Sequence, residues 1–461
     1  MNNSGVKIEA HLIQNFAPSN LNRDDTGQPK SATFGGFRRA RISSQCSKRN
    51  ARERWRTEGT VSVGERTKKI QKLIGDRLAE DKAFMEKVSK LEDWKDGIRV
   101  FTEAYYAGTD KKKPENTSVL IFIGPEEVNA GVQAVKDLWE DRTSESEKKG
   151  KKSSETVEGI ATLLKKLREF NLKNASKEET ANTEAVELEE SSGASNNEEV
   201  DQDKSGNQKD KRPKLKPVKE IQDAIEKARI SADIALFGRM LAEQPGRNTD
   251  GACQVSHPIS THKVDMEMDF YTAVDDLNPE EETGAGMMGV VGFNSACYYR
   301  YALVDRDQLA RNLARKTERK NGQWVKNLTQ EDYTEADKVI KAFLEAMVYA
   351  IPTGKQNSFA AQNLPSFGLF VRRQGGVPIS LTNAFAKPVR PQKDDDDLVG
   401  LSVAALTRHW EALKTVYGAQ GVQSTACFHL QQEGRLNGLK DADKKNVSEA
   451  IKTVLEVGGQ P

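Results

Sequence analysis

Between residues 141 and 217 the chain nearly stops supplying anything to bury. Runs such as SESEKKGKKSSE and SKEETANTEAVELEESSGASNNEEVDQDKSGNQKDKRPKLKP are polar, serine-rich and almost free of aromatics, and only TVEGIATLLKKLREF (156–170) has helical periodicity. Such a stretch lacks the apolar surface that offsets the entropy of ordering. It is expected to be a disordered insertion or linker, so the fold has to be assembled from the parts on either side of it. With 461 residues, 36% of them hydrophobic, enough remains for a real core, in two or three substructures.

Charge is balanced overall, 70 basic against 69 acidic residues, so any affinity for nucleic acid has to come from local patches. One patch is conspicuous. From Arg38 to Arg56 eight basic residues stand against a single acid, Glu53. The four cysteines (Cys46, Cys253, Cys297, Cys427) are far apart with no CxxC pair, which fits reduced thiols better than a disulfide frame or a zinc site. The N-terminal MNNSGVKIEAHLIQNF has no apolar signal region and no run reaches membrane-spanning length, so a soluble, cytoplasmic protein is expected.

Period-two alternation predicts a strand over 6–15, with Val6, Ile8, Ala10 and Leu12 on one face. Pro18, Gly27, Pro29 and Gly35-Gly36 mark 16–36 as loop. RARIS then extends to Ser43-Ser44, where a serine caps the following helix. An amphipathic helix is expected over 66–91, and another near 218–229. ADIALFGRM (232–240) and CQVSHPISTHKV (253–264) read as two strands of a hairpin. Alternation continues from Val264 to Phe270, and a flexible TGAGMMGVVG (283–292) separates this arm from a returning strand, ACYYRYALV (296–304). A helix over 335–350, a last strand, SFGLFVRR (366–373), and a C-terminal helix over 402–416 complete the pattern. Without insertions the order is strand, helix, strand, strand, helix, strand: an α+β, ferredoxin-like (RRM-like) arrangement that hosts RNA-binding proteins among others.

Lys48, Arg52 and Arg56 are spaced to lie along one side of a helix, and Ser43 and Ser44 sit where its free N–H groups point. That combination suits a phosphate, with Gly35-Gly36 allowing close approach of backbone and ligand. The alternative is a solvated basic helix face. In LNRDD (21–25), Asp24 and Asp25 could bind a divalent metal for phosphodiester cleavage, or simply cap a turn, the commoner use of such a pair. His257 and His262, five apart on a strand, face opposite sides of a sheet and read as structural or polar-contact histidines. Asp394 to Asp397 read as a solvated loop. The arm from 264 to 295, with Met266, Met268, Met287 and Met288, either packs on its own domain or projects onto a neighbouring subunit or between bases.

Together LNRDD, FGGFRRARISSQCSKR, ISADIALFGRM and STHKVDMEMDFYTAVDDL resemble the backbone subunit of type I-E CRISPR Cascade, the CasC family, over most of 6–57 and 220–390. The resemblance implies a hand-shaped subunit: an RRM-like palm (1–45, 220–263 and 296–461, the last with the C-terminal helix), inserted helical fingers (46–219) and a β-hairpin thumb (264–295). It also implies a non-catalytic role in antiviral defence, without cofactor or metal. Copies would polymerise along a guide crRNA as a helical filament and present it for pairing with target DNA in an R-loop. Other Cascade partners would be a handle-capping subunit, a hairpin endoribonuclease, and large and small subunits. On the family's pattern Arg23, Lys30, Arg41, Ser43, Gln45, Lys48 and Arg52 would contact the guide backbone, and Arg49 joins them as a neighbour. Met240 would insert at the RNA kink, and Phe270 and Tyr271 form the thumb's aromatic pair. Lys211, Arg212, Lys214, Lys216 and Lys219 would lie near the finger lysines that touch duplex DNA. The competing function is a metal-dependent endoribonuclease of the type III backbone kind using Asp24 or Asp25.

Overall fold

The computed structural model describes residues 5–88, 98, 101–102, 110, 112–149, 227–241, 247–274, 285–320, 323–394, 396–419, 421–430, 436 and 438–456. The chain is a mixed α+β protein that divides into two compact units: 1–63, 231–239 and 249–461 form the first, 64–230 and 240–248 the second.

The first unit opens with strand β1 (Val6–Ser19) and a hairpin of β2 (Ser31–Phe34) and β3 (Phe37–Ala40), followed by helix α1 (Ser44–Glu58). The second unit pairs β4 (Glu65–Thr67) antiparallel with β5 (Ile121–Ile123) beside helices α2 (Ile70–Ala79), α3 (Lys82–Val88) and α4 (Pro125–Lys149). The first unit resumes with α5 (Ala232–Phe237), β6 (Cys253–Val255), β7 (Ile259–Ser260), β8 (Glu267–Val274) and β9 (Ala285–Asp305). It continues through α6 (Arg306–Ala314), β10 (Arg319–Lys320), β11 (Gln323–Trp324), α7 (Gln330–Tyr349) and α8 (Gln356–Phe359). It ends with β12 (Phe367–Gln374), α9 (Leu398–Tyr417), β13 (Val422–His429) and α10 (Val447–Leu455).

Its central sheet has the order β13-β12-β1-β9-β6, with β7 and β8 also pairing β9. Every pair in it is antiparallel. Ile13, Tyr299, Leu303, Phe367, Leu369 and Val371 pack on one face against Val403, Leu406 and Trp410 of α9. The opposite face carries α6, α7 and α10. A sheet covered on both sides buries both sets of alternating residues, so Lys7, Glu9 and His11 are as buried as Ile8 and Ala10. Their polar groups are paired within the core except for His11 Nε2, which makes no hydrogen bond and lies 3.9 Å from Glu9. Tyr299 Oη meets His11 Nδ1 at 2.9 Å, Glu9 accepts from Ile379 N at 2.9 Å, and Arg373 Nη2 lies 3.4 Å from Glu9. Burial pushes the Glu9 carboxyl up, but His11 and Arg373 outweigh it and hold it below the ordinary carboxylate range.

Several elements differ from the sequence expectation. Residues 31–36, expected as loop, belong to the β2–β3 hairpin, which spans 31–40. Its two-residue turn is Gly35-Gly36, both left-handed (φ 60° and 82°), and a Cβ on Gly35 would sit 1.9 Å from the Ala386 carbonyl. These glycines therefore serve a turn and internal packing. The helix expected over 66–91 is strand β4 followed by two helices, because Asp81 caps a new start at Phe84 N (3.0 Å). ADIALF is helical, not a strand: Ala232 to Leu236 are all buried, so the run carries no amphipathic period to read. The 253–264 segment pairs with β9 instead, and Pro258, which has no N–H to donate, splits it into β6 and β7. Helix α4 runs to Lys149, into the stretch expected to be an insertion. Asp397 is the N-cap of α9 rather than part of a solvated loop. The expected helices at 156–170 and 218–226, and the rest of the insertion, lie outside the described residues. Among the described residues no helix is long and apolar enough to cross a membrane.

Candidate nucleic-acid interface

Strand β1 ends at Ser19, and the next eleven residues fold back into a tight loop. The buried Asn20 donates to the carbonyls of Gly27 (3.0 Å) and Gly292 (2.9 Å), tying the loop to itself and to β9. Lys30 N donates to Asn22 O and Arg41 N to Lys30 O, both at 2.9 Å. Arg23 forms a bridge pair with Pro29. The loop thus delivers Arg23 and Lys30 beside Arg41 and the start of α1.

Asp24 does the turn-capping. Its Oδ1 accepts from Thr26 Oγ1 (2.8 Å), Thr26 N (3.0 Å) and Gln28 N (2.9 Å). These bonds, led by the Thr26 hydroxyl, lower its pKa. Asp25 is exposed, and among the described residues no group of three or more His, Cys, Asp and Glu is placed to hold a metal.

Helix α1 starts as expected: Ser43 Oγ accepts from Cys46 N (3.2 Å), and Ser43 N donates to Asn22 Oδ1 (2.8 Å). One helix-end donor is therefore already satisfied by Ser43, while Gln45 remains exposed. The eight cations of 38–56 divide into two sets. Arg39 is fully buried and donates to the carbonyls of Ser260 (2.9 Å) and Phe385 (2.7 Å), a role in the fold. Arg52 Nε donates to Asp233 at 2.7 Å and its guanidinium lies 4.8 Å over the Phe237 ring. Lys48 lies 5.3 Å over the same ring. Arg54 and Arg56 pair with Glu58 and Glu53 on the helix surface. Arg41 reaches His257 Nδ1 (2.8 Å), and burial followed by that guanidinium lowers the His257 pKa. Arg38 and Arg49, like Arg23 in the loop, are exposed, with no carboxylate in ion-pair reach among the described residues. The helix itself is anchored by Trp55, which stacks on Phe237 and donates from Nε1 to Ala342 O (3.1 Å). Helix α1 therefore belongs to the first unit, whereas the sequence reading assigned residues from 46 onward to the fingers.

His262 is structural, as expected. Its Nε2 accepts from Cys297 N (3.2 Å) and its Nδ1 donates to Lys263 O (2.8 Å), with the pKa lowered chiefly by burial.

The third component is the β8–β9 hairpin. Its register pairs Phe270 with Val290 and Thr272 with Met288, so Met268, Phe270, Met288 and Val290 share one face, and all four are more than half exposed. On the other face Tyr271 lies over Gly289, where a Cβ would meet its ring at 2.4 Å. The ribbon's base is latched to the Arg23 loop: Gln28 fills the space a side chain at Gly292 would take. Phe293 also packs on Phe359 (5.7 Å). The Asn20–Gln28 latch had no readable signal, since nothing in SNLNRDDTGQ announces contact with a residue near 290. Met240 is exposed in the second unit, just after the Arg239–Thr249 bridge of the first. Lys211, Arg212, Lys214, Lys216 and Lys219 lie outside the described residues.

The family described as "CT1975-like protein" matches residues 8–454. Among curated proteins none matches the sequence. Two solved structures share the fold. A chain titled "CRISPR RNA-guided surveillance complex, pre-nicking" superposes with a TM-score of 0.63 at 24% identity, covering 97% of this chain and 100% of that one. A second, "CRISPR RNA-guided surveillance complex", gives 0.51 at 20% identity over 97% and 98%.

Proposed function

Because the chain belongs to the CT1975-like protein family, we propose that it is a non-catalytic, guide-RNA-binding backbone subunit of a CRISPR surveillance complex, of the type I-E CasC kind. The observation that carries the reading is local. One loop and one helix start gather Arg23, Lys30, Arg41, Arg49 and the Ser43 cap directly beside a ribbon of exposed apolar side chains. Cations hold phosphates without reading bases, and an apolar ribbon can displace a base or pack on the next copy.

The sheet order supports an RRM-like palm. Taking β1, β6, β9 and β12 as strands one to four, the order is four-one-three-two and antiparallel throughout, the ferredoxin-like pattern, with β13 added at the edge. The second unit corresponds to the fingers, and β8 with the outer part of β9 to the thumb bearing Phe270 and Tyr271. Arg52 enters this picture differently from its neighbours: held by Asp233 over Phe237, it positions the helix and lends charge to the groove. Ser43, Gln45 and Lys48 complete the guide contacts of the first unit; Met240, in the second, remains a candidate for the RNA kink, and Lys211 to Lys219 for duplex contact. Cytoplasmic copies would polymerise along crRNA with the other Cascade subunits and expose it to target DNA.

The test is guide-RNA affinity against salt. Arg23→Ala with Arg49→Ala should weaken binding and reduce the salt slope by about 2, roughly one for each phosphate left without its arginine. An unchanged slope would remove the groove from this loop and helix. Incubation with RNA and magnesium or manganese separates the endoribonuclease reading, since cleavage that disappears in Asp24→Ala/Asp25→Ala would replace the scaffold with an enzyme. The three hydrogen bonds already accepted by Asp24 Oδ1 favour the scaffold.

A further inference from the structure

From Arg306 to Lys326 seven basic residues stand against two acids, Asp307 and Glu318, a second basic cluster that the guide groove does not use. Its inner members are engaged. Arg306 makes a two-pronged bond to Asp337 (2.7 Å each), and Lys316 binds Asp332 (2.5 Å). Arg311 donates to Lys326 O (3.0 Å). The outer members, Arg319, Lys320 and Lys326, are exposed and make no ion pair among the described residues.

Arg319 and Lys320 form one strand of a hairpin with two residues in each strand, Arg319 opposite Trp324 and Lys320 opposite Gln323, and Lys326 follows its second strand. A ribbon so short is marginal by itself. It is held by Trp324, whose ring centroid lies 4.1 Å from the Arg311 guanidinium carbon and 3.9 Å from that of Arg319. Two guanidinium groups cannot share one face of a ring at that height without colliding, so each face carries one. Neither face is left for a base to stack on.

The cluster also lies away from the guide groove. Helix α7 ends beside the Arg23 loop, since Gly354 packs on the Leu21 carbonyl. Its 20 residues place the N-cap Thr329, just after the hairpin, about 30 Å from that end.

We propose that the β10–β11 hairpin is a second nucleic-acid site, which grips the phosphate backbone of a duplex without reading sequence. Two lysines and an arginine against one neighbouring acid, Glu318, are the composition of phosphate contact, whereas lysine is depleted from protein–protein interface cores. Capped ring faces favour a duplex over a single strand, whose bases need a stacking surface. The site stands whether or not the guide occupies the groove described above.

The experiment measures binding of a labelled DNA duplex, unrelated to the guide, by the guide-loaded protein across a range of salt. Lys320→Gln with Lys326→Gln should weaken it about tenfold and lower the salt slope by about 2. Both side chains are exposed, so thermal unfolding and guide loading should stay as in the wild type. Arg319→Lys should keep the slope while loosening the hairpin. Unchanged duplex affinity and slope would overturn the proposal, as would tighter binding of the matching single strand. Joint loss of guide loading would merge this patch with the guide groove. Loss of a protein partner with duplex affinity intact would assign the patch to an acidic protein surface.

Discussion

Strand β9 crosses two environments without a break in its backbone. Over its inner half Cys297, Tyr299 and Leu303 are at most 1% exposed, lying in the sheet between helical layers; over its outer half Met287, Met288 and Val290 are 57%, 66% and 56% exposed, in a ribbon with β8 alone. The backbone pattern is the same in both halves. What differs is whether the chain itself supplies the packing. The inner half satisfies its apolar surface within the chain, and the outer half presents a patch of the kind that marks an interaction surface.

Substitutions matched across that divide test the contrast. The largest loss is expected from Tyr299→Ala. It empties a buried ring site and removes the hydroxyl that serves His11 Nδ1 and Leu381 N, for about 3–5 kcal/mol by urea unfolding. A loss under about 1 kcal/mol would erase the distinction.

Two glycines form the next pair, since each would drive a new Cβ into an aromatic ring. At Gly368 the ring is buried Phe428, 2.2 Å away, with Leu12 at 2.9 Å on the other neighbouring strand, so Gly368→Ala should cost about 1–3 kcal/mol. At Gly289 the ring is Tyr271, 40% exposed and able to swing aside, so Gly289→Ala should cost less than about 1 kcal/mol. Equal costs would mean that the ribbon is packed as tightly as the sheet.

Acid sharpens the comparison further. Glu9, in register with Leu303 on the inner half, has a folded-state pKa below its ordinary value. Its stabilising contribution is therefore present above the ordinary carboxylate pKa and disappears as pH falls through the lowered one. Urea midpoints should drop over that acid window in the wild type and drop less in Glu9→Gln. The smallest stability change belongs to the ribbon tip. Phe270→Ser with Val290→Ser should leave unfolding within about 0.5 kcal/mol, yet abolish assembly of successive copies on RNA in sedimentation. Normal assembly would leave the exposed face without a function.

Much of this was legible. Strand β1, the Ser43 cap, helix α7, strand β12 and the β8–β9 arm follow from alternation, capping residues and helical spacing. Misreadings fell where periodicity carries no information. Ala232 to Leu236 of ADIALF are buried all round, so its five apolar residues about one aspartate read as a strand. The β2–β3 hairpin is short and half polar, and its Gly-Gly turn is equally compatible in sequence with close approach of a ligand. Strand β13 and helix α10 lie beyond SFGLFVRR, the last strand that alternation predicts. Within the candidate site, the cluster at 38–56 was visible as charge, but its division was not. That Arg39 caps carbonyls near 260 and 385 and that Arg52 binds Asp233 are long-range facts, fixed only when the sheet closes.

The continuity of β9 also has a mechanical side. Twenty-one residues in one extended run leave no flexible joint between the ribbon tip and the centre of the sheet. The Asn20 and Gln28 clasp fixes the fulcrum where the ribbon leaves the core. A load placed on Phe270 by a neighbouring molecule is then delivered as torque to the loop carrying Arg23. Under the proposed function, seating one copy against the next and tightening the grip on the guide would become a single displacement.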